Sequence, residues 1–456
     1  LARALTSALL WARRAWIGGR WKEAVLLEAG RDGRWSSVQI GVAAPPQATV
    51  LAGPALPGLV DAHSHAFQRA FVGLAERRER ASDDFWSWRD RMYGVALRID
   101  PETQRDVAAQ LYVELLRGGY TQVCEFHYLQ HDRDGTPYAD AGTLAWAVAD
   151  AAGAAGIGLT LLPVLYERAG FTQDTLRDDQ RRFRADADAV LALQRAAHGF
   201  GVPCGVAIHS LRAARPASIE RVVEGAGAGP IHIHIAEQTG EVDDCVAATG
   251  SRPIEWLAQH ARLDARWQLV HATHATPQEI DAVAASGAGV VICPTTEANL
   301  GDGLPDLPRW LASSTPLSIG SDSHVGRDAL EELRWLDYAQ RLVRRQRNVS
   351  AEPPREPSTA ARLFERVRAG GGAAAGHASW GLVEGARADL LVADPAGDAT
   401  RGVPDDALLD ALVFAGAMRP WRDVMVQGRW VLREHRHADG AGIAARFEQA
   451  MRRLWP

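Results

Sequence analysis

Residues 57–65 read PGLVDAHSH, a short apolar run that closes on two histidines two positions apart. Seven further runs of the same make follow. They are TQVCEFHY from Thr121, GLTLLPVLY from Gly158, PCGVAIHS from Pro203, IHIHIAE from Ile231, WQLVHAT from Trp267, GVVICPTTE from Gly289 and PLSIGSDSH from Pro316. Between them lie longer segments of helical period rich in Ala, Arg and Glu, such as Pro101–Arg117 and Ser218–Gly225. Strands that alternate with helices are parallel strands joined by crossovers, and eight such units predict an α/β chain closed into a (β/α)8 TIM barrel.

Outside these runs the texture changes. Up to Leu56 the chain holds alternating runs such as AVLLEAG and SVQIGVAA, separated by Gly and Asp, which read as strands of a small sheet. After Gly376 the same texture returns in ADLLVADP and DVMVQGRWVL, and Ala441–Leu454 has the spacing of an amphipathic helix. The simplest division places the barrel at residues 57–375. Residues 1–56 and 376–456 are then two halves of one small β-sandwich domain, the second ending in a helix. RAGGGAAAGH, around Gly370, is expected to be a surface loop.

At 456 residues the chain exceeds the roughly 250–300 that one core usually serves, in keeping with a large and a small domain. Its 47% hydrophobic and 23% charged content is that of a globular protein, and a net charge of −6 argues against a nucleic-acid partner. No apolar run reaches the roughly 20 residues needed to span a bilayer, so no membrane partner is expected. Leu1–Ile17 is interrupted by Arg13 and Arg14 and does not read as a signal peptide. The cysteines, Cys124, Cys204, Cys245 and Cys293, are scattered without paired spacing, which points to a reducing cytoplasm. Lys22 is the sole lysine among 50 basic residues.

In a barrel of this kind the C-terminal strand ends carry the chemistry. His63 and His65 end the first strand, His234 the fifth, His271 the sixth and Asp322 the eighth. Any one of these reads as easily as a core histidine or a solvated acid. Together they are a donor set for one divalent metal, Zn2+ foremost, with Fe2+ also served by such N/O ligands. Glu237, three residues past His234, is placed to move a proton between water and a leaving group. His232 falls deeper and reads as barrel core, while His127 and His274 fall on the opposite phase and read as structural. His324 is a candidate support for Asp322. Trp86 and Trp88 read as packing in a lid-like helix.

The strings PGLVDAHSHAFQRAFVGLAE, FWSWRDRMY, IHIHIAEQ, LVHATH and IGSDSH resemble the amidohydrolase superfamily and, within it, the formimidoylglutamate deiminase family of histidine degradation. The resemblance implies metal ligands His63, His65, His234 and Asp322. It implies that His271 hydrogen-bonds the hydroxide on that metal and that Glu237 is the proton shuttle. It implies substrate contacts from Gln68, Arg89 in SWRD, Tyr128 in EFHYL, and His209 with Arg212 in IHSLR. The implied reaction is hydrolysis of N-formimidoyl-L-glutamate to N-formyl-L-glutamate and ammonia, in a homodimer.

Two physical points stand beside the resemblance. Many superfamily members hold two metals bridged by a carbamylated lysine, which Lys22 cannot supply from the N-terminal sheet, so one metal is expected. A small dianionic amino-acid derivative calls for fixed cations in an otherwise acidic chain, and Arg89 and Arg212 can each grip a carboxylate through two hydrogen bonds. The competing readings are a deaminase or chlorohydrolase of a nucleobase or triazine ring, and a barrel that has lost catalysis. A flat neutral ring would want stacking rather than two arginines, and a lapsed enzyme would have shed metal ligands.

Overall fold

Two sheets organise the chain in the computed structural model, which describes residues 7–78, 83–416 and 419–456. The first begins with β1 (Ala8–Ile17), β2 (Arg20–Ala29), β3 (Trp35–Ile40), β4 (Thr49–Val50) and β5 (Ala55–Leu56). β1 and β2 are joined through Gly18 and Gly19 at φ +60° and +77°, the left-handed pair that a tight two-residue hairpin requires.

The second sheet is the barrel. It comprises β6 (Leu59–Ser64), β7 (Tyr120–His127), β8 (Gly158–Leu165), β9 (Val206–Ile208), β10 (Ile231–Ile235), β11 (Trp267–His271), β12 (Gly289–Ile292) and β13 (Leu317–Ile319). All neighbours are parallel, and β13 returns to β6 where Ile319 pairs with Asp61, closing the ring. Each of the eight quoted runs carries one strand. The strands are buried on both faces, which is why they appear as nearly continuous apolar runs. Alternation still sorts them: Ile231, Ile233 and Ile235 join the cluster packed under the helices, while Phe126, Val164 and Val270 belong to the cluster along the axis.

The chain then returns to the first sheet as β14 (Leu390–Ala393), β15 (Trp421–Val426), β16 (Arg429–Arg433) and β17 (Arg436–His437). β14 pairs antiparallel with β5, Leu391 opposite Leu56 and Val392 opposite Ala55, so both chain ends share one nine-stranded sheet. This sheet encloses a core of its own built on Leu10, Val25, Leu27, Leu390, Val392 and Met425. Trp16 donates from Nε1 to Glu365 at 2.6 Å and Arg387 donates to the Thr121 carbonyl at 3.0 Å, tying it to the barrel.

The helix Pro101–Arg117 has the expected bounds, with Pro101 in its first turn and Asp100 accepting the Thr103 N–H at 2.8 Å. The helix expected from Ser218 starts two residues earlier at Pro216, again with proline in the first turn. The terminal helix runs Gly440–Leu454. Among the described residues no helix is long and apolar enough to cross a membrane.

The expectation for RAGGGAAAGH is overturned. Most of it is the last turns of the buried helix Thr359–Ala374. A Cβ on Gly370 would lie 2.1 Å from the Leu317 carbonyl oxygen, and one on Gly371 2.9 Å from Val60 Cβ. The glycines are there for contact: they bring the helix against β13 and β6 where the barrel closes. Beyond them the Ala374 carbonyl accepts from His232 Nε2 at 2.9 Å and the Ala375 carbonyl from Thr160 Oγ1 at 3.0 Å, so the end of this helix caps the barrel floor.

Candidate active site

At the opposite end of the barrel the strand termini converge. His63 Nε2 and His234 Nε2 lie 2.9 Å apart. Asp322 Oδ1 lies 3.4 Å from His63 Nε2 and 3.3 Å from His65 Nε2. Donors about 2.0–2.2 Å from one zinc ion stand roughly 2.9–3.5 Å from each other, so these spacings suit a shared cation. The triples His63, His65, Asp322 and His63, His234, His271 each gather their donor atoms within 4.8 Å, and both pass through His63.

The backbone bends to achieve this. Ala236, His271, Ala272, Asp322 and His324 all adopt left-handed φ, between +47° and +70°, without being glycine. Such residues cost on the order of 1–3 kcal/mol each and gather where function holds them. On β11, Leu269 packs under the helices and Val270 along the axis. His271 therefore falls on the outward phase, and its φ of +70° marks the turn that brings it to the mouth.

Burial sets the protonation. It drives His63 and His234 well below the ordinary imidazole range and His65 down to about 3, so all three are neutral, as ligands must be. The His65 Nδ1 lies 3.0 Å from the Phe126 carbonyl, to which only an N–H can donate. That bond assigns the tautomer and leaves Nε2 free to bind.

His271 differs. Burial opposes its charge, but Glu237, Glu297 and Asp322 outweigh it and lift the group to about 10. Its Nδ1 is 3.2 Å from Glu297 Oε1, and its Nε2 is 3.7 Å from Glu237 Oε1 and 3.8 Å from Asp322 Oδ2. Glu237 is raised by burial to about 7, a position from which it can both take and give a proton near neutrality. Three neutral imidazoles and one carboxylate thus fit a single divalent cation, with His271 and Glu237 beside it.

Ten of the eleven residues singled out from sequence line one cavity above these donors; His63 lies beneath it. Gln68 donates to the Tyr128 hydroxyl at 2.9 Å, while its Oε1 is unpaired. His209 Nδ1 meets Ser210 Oγ at 3.2 Å. Arg89 rises from the helix Phe85–Ala96, which Asp84 caps by accepting the N–H groups of Trp86 and Ser87. Arg212 comes from the loop after β9. Their side chains are only 14% and 9% exposed, yet Arg89 Nε and Arg212 Nη1 have no hydrogen-bond partner. The nearest carboxylates stand off, Asp90 at 3.8 Å and Glu241 at 4.0 Å. Buried guanidinium donors of this kind are suited to receive an anionic group.

Several supports escape a reading of the sequence. Glu241 accepts the Glu237 N–H at 3.1 Å; its signal is an acid four residues on, in the first turn of the helix Thr239–Thr249. Glu125 accepts from the Ala66 N–H at 2.6 Å, Ser64 Oγ at 2.7 Å and Tyr112 at 3.1 Å, fixing the loop that carries His65. Glu125 lies within β7, and Glu297 lies in the first turn of the helix Pro294–Leu300 that follows β12. His324 Nδ1 meets Ser321 Oγ at 2.9 Å beside Asp322. His274 donates to the Asp302 carbonyl at 2.9 Å, and His127 is buried off the cavity. Trp88 lines the cavity, and Trp86 lies beneath both arginines, its ring centre 4.6 Å from Arg89 Cζ and 5.5 Å from Arg212 Cζ.

Residues 55–431 match the model of the amidohydrolase family. A formimidoylglutamate deiminase of Pseudomonas aeruginosa is 45% identical, covering 98% of this chain and 99% of its own. The crystal structure of an amidohydrolase from Brucella melitensis superposes with a TM-score of 0.93 at 41% identity, over 98% of this chain and all of that one. An adenosine deaminase from Xanthomonas campestris with bound zinc shares the fold, with a TM-score of 0.81 at 23% identity over 98% of both chains.

Proposed function

Since this chain belongs to the amidohydrolase family, we propose that its barrel-mouth site hydrolyses N-formimidoyl-L-glutamate to N-formyl-L-glutamate and ammonia. One observation carries the reading. Arg89 and Arg212 line the same cavity as the histidine cluster, which suits a substrate with two carboxylates and a reactive head directed at a cation. The 45% identical relative bears the name of that activity.

His63, His65, His234 and Asp322 hold one divalent cation in this reading, zinc by preference and iron(II) by the same ligands. When bound, the cation brings the pKa of a water toward about 7 and polarises the reacting carbon–nitrogen bond. Arg89 and Arg212 grip the two carboxylates and fix the formimidoyl carbon over the cluster, with Gln68, Tyr128 and His209 completing the walls. His271, held by Glu297, points its N–H at the attacking water. Glu237 takes a proton from that water as oxygen adds to the carbon. It then delivers that proton to the terminal nitrogen of the adduct formed from the protonated amidine. As the carbon–nitrogen bond breaks and ammonia leaves, it takes up the remaining hydroxyl proton while the formyl carbonyl forms. General acid–base help of this kind is worth about 10²–10⁴-fold. The four cysteines are free and buried, which suits a reducing cytoplasm, and the working unit is taken to be a homodimer.

The test is ammonia release from N-formimidoyl-L-glutamate, with adenosine, guanine and cytosine assayed beside it and metal measured on the same sample. Turnover confined to the linear amidine, with about one zinc or iron per chain, is expected. Preferred turnover of a ring substrate would overturn the assignment.

A further inference from the structure

Arg89 and Arg212 pose an electrostatic problem that their hydrogen bonds leave unsolved. Two guanidinium groups sit within 5.5 Å of one ring centre, with buried donors open and the nearest carboxylates 3.8 and 4.0 Å away. Like charges so placed repel, and desolvation sharpens the repulsion. A carboxylate set between them would relieve it, but would also occupy the N–H groups that a substrate needs. An aromatic face has a negative quadrupole and no hydrogen-bond acceptor in the plane of the donors. It attracts both cations and leaves their N–H edges free.

Trp86 supplies that face. Its indole lies against both guanidinium groups, and Phe85 meets it edge-on with ring centres 5.0 Å apart. Arg89 is three residues along the same helix, whereas Arg212 arrives from the loop after β9, so one ring joins two otherwise separate pieces of the cavity wall.

We propose that Trp86 is the positioning residue of the carboxylate clamp: its indole packs against both Arg89 and Arg212 while leaving their donors open, and so sets the preference for a dianionic ligand. This rests on the reading of the cavity as a dicarboxylate site and adds to it the part that holds the two cations together. Trp86 touches neither the cation ligands nor Glu237 in this scheme, so its loss acts on binding and spares the chemical step.

The experiment compares wild type with Trp86→Leu, which removes the aromatic face, and Trp86→Phe, which keeps a smaller one. Metal-loaded protein is titrated by calorimetry with glutarate, a dianion lacking a scissile bond, and with butyrate, its monoanionic counterpart. Steady-state ammonia release from N-formimidoyl-L-glutamate is measured alongside. Trp86→Leu is expected to weaken glutarate binding and raise KM by roughly tenfold or more, leaving kcat within about threefold and butyrate binding within about twofold. Trp86→Phe is expected to fall between, at roughly two- to fivefold. Should the Leu variant fail to fold, the Phe variant decides alone, since no loss of glutarate affinity contradicts the proposal. A wild type that binds glutarate no better than butyrate overturns the dicarboxylate reading and this proposal with it. A wild type that discriminates, beside a Trp86→Leu variant that discriminates equally, overturns only the part given to Trp86. So does a loss shared by kcat and KM that Phe does not rescue.

Discussion

The two walls of the cavity are built by different means. On one, His63 lies within β6 and His65 directly follows it, His234 lies within β10, His271 ends β11 and Asp322 follows β13, all on or just after parallel strands locked into a closed ring. Their positions are set by backbone pairing, and where alternation would turn a side chain away the chain accepts a left-handed residue to bring it back. On the other, Arg89 rides on a helix inserted between β6 and the helix Pro101–Arg117, and Arg212 on a loop. Their placement depends on side chains: the Trp86 indole, the Tyr93 ring beside Arg89 and two distant carboxylates. In the proposed reading, the wall that would activate water is part of the scaffold, while the wall that would choose a substrate is attached to it. A scaffold of this kind can host different substrate walls, since function lives in sites grafted onto folds.

If that division is right, damage to the strand-borne wall should stop turnover, and damage to the attached wall should weaken binding. Stripping the metal with a chelator is expected to abolish ammonia release, and zinc added back should restore it; activity surviving with less than a tenth of the metal would break the division outright. Glu237→Gln comes next, with kcat down by about 10²–10⁴-fold and metal content unchanged by elemental analysis. Arg212→Met removes a buried, charge-assisted contact and should raise KM for formimidoylglutamate by about 10- to 150-fold, the equivalent of ~1.5–3 kcal/mol, with a much smaller effect on kcat. An equal fall in kcat would move Arg212 across to the catalytic wall. Smallest is Tyr128→Phe, which loses one neutral hydrogen bond beside Gln68 and should cost about 1 kcal/mol, near fivefold in KM.

The same division explains what could be read from sequence. The barrel strands were plain because strands buried on both faces run largely apolar, as GVVI does on β12. The donors were plain because they sit at strand ends. Side chains that act through one another were not. Nothing local marks Trp86 as the floor under two arginines, since Arg212 lies 126 positions away; its reading as lid packing missed that contact. Glu241, Glu297 and Glu125 are single acids until the fold brings their donors to them. The glycine run misled for a related reason. Composition reports flexibility, whereas the need for glycine at 370 is set by Leu317 on another element.

That crowded floor bears on any attempt to toughen the protein. Rules of helix propensity rank alanine above glycine by about 1 kcal/mol and would nominate residues 370–372 for replacement. Here the added methyl at 370 would have to displace a strand carbonyl at the seam where the ring shuts, so the customary gain turns into a loss. Libraries aimed at heat tolerance should therefore hold these three positions constant and place their diversity on the outer helices.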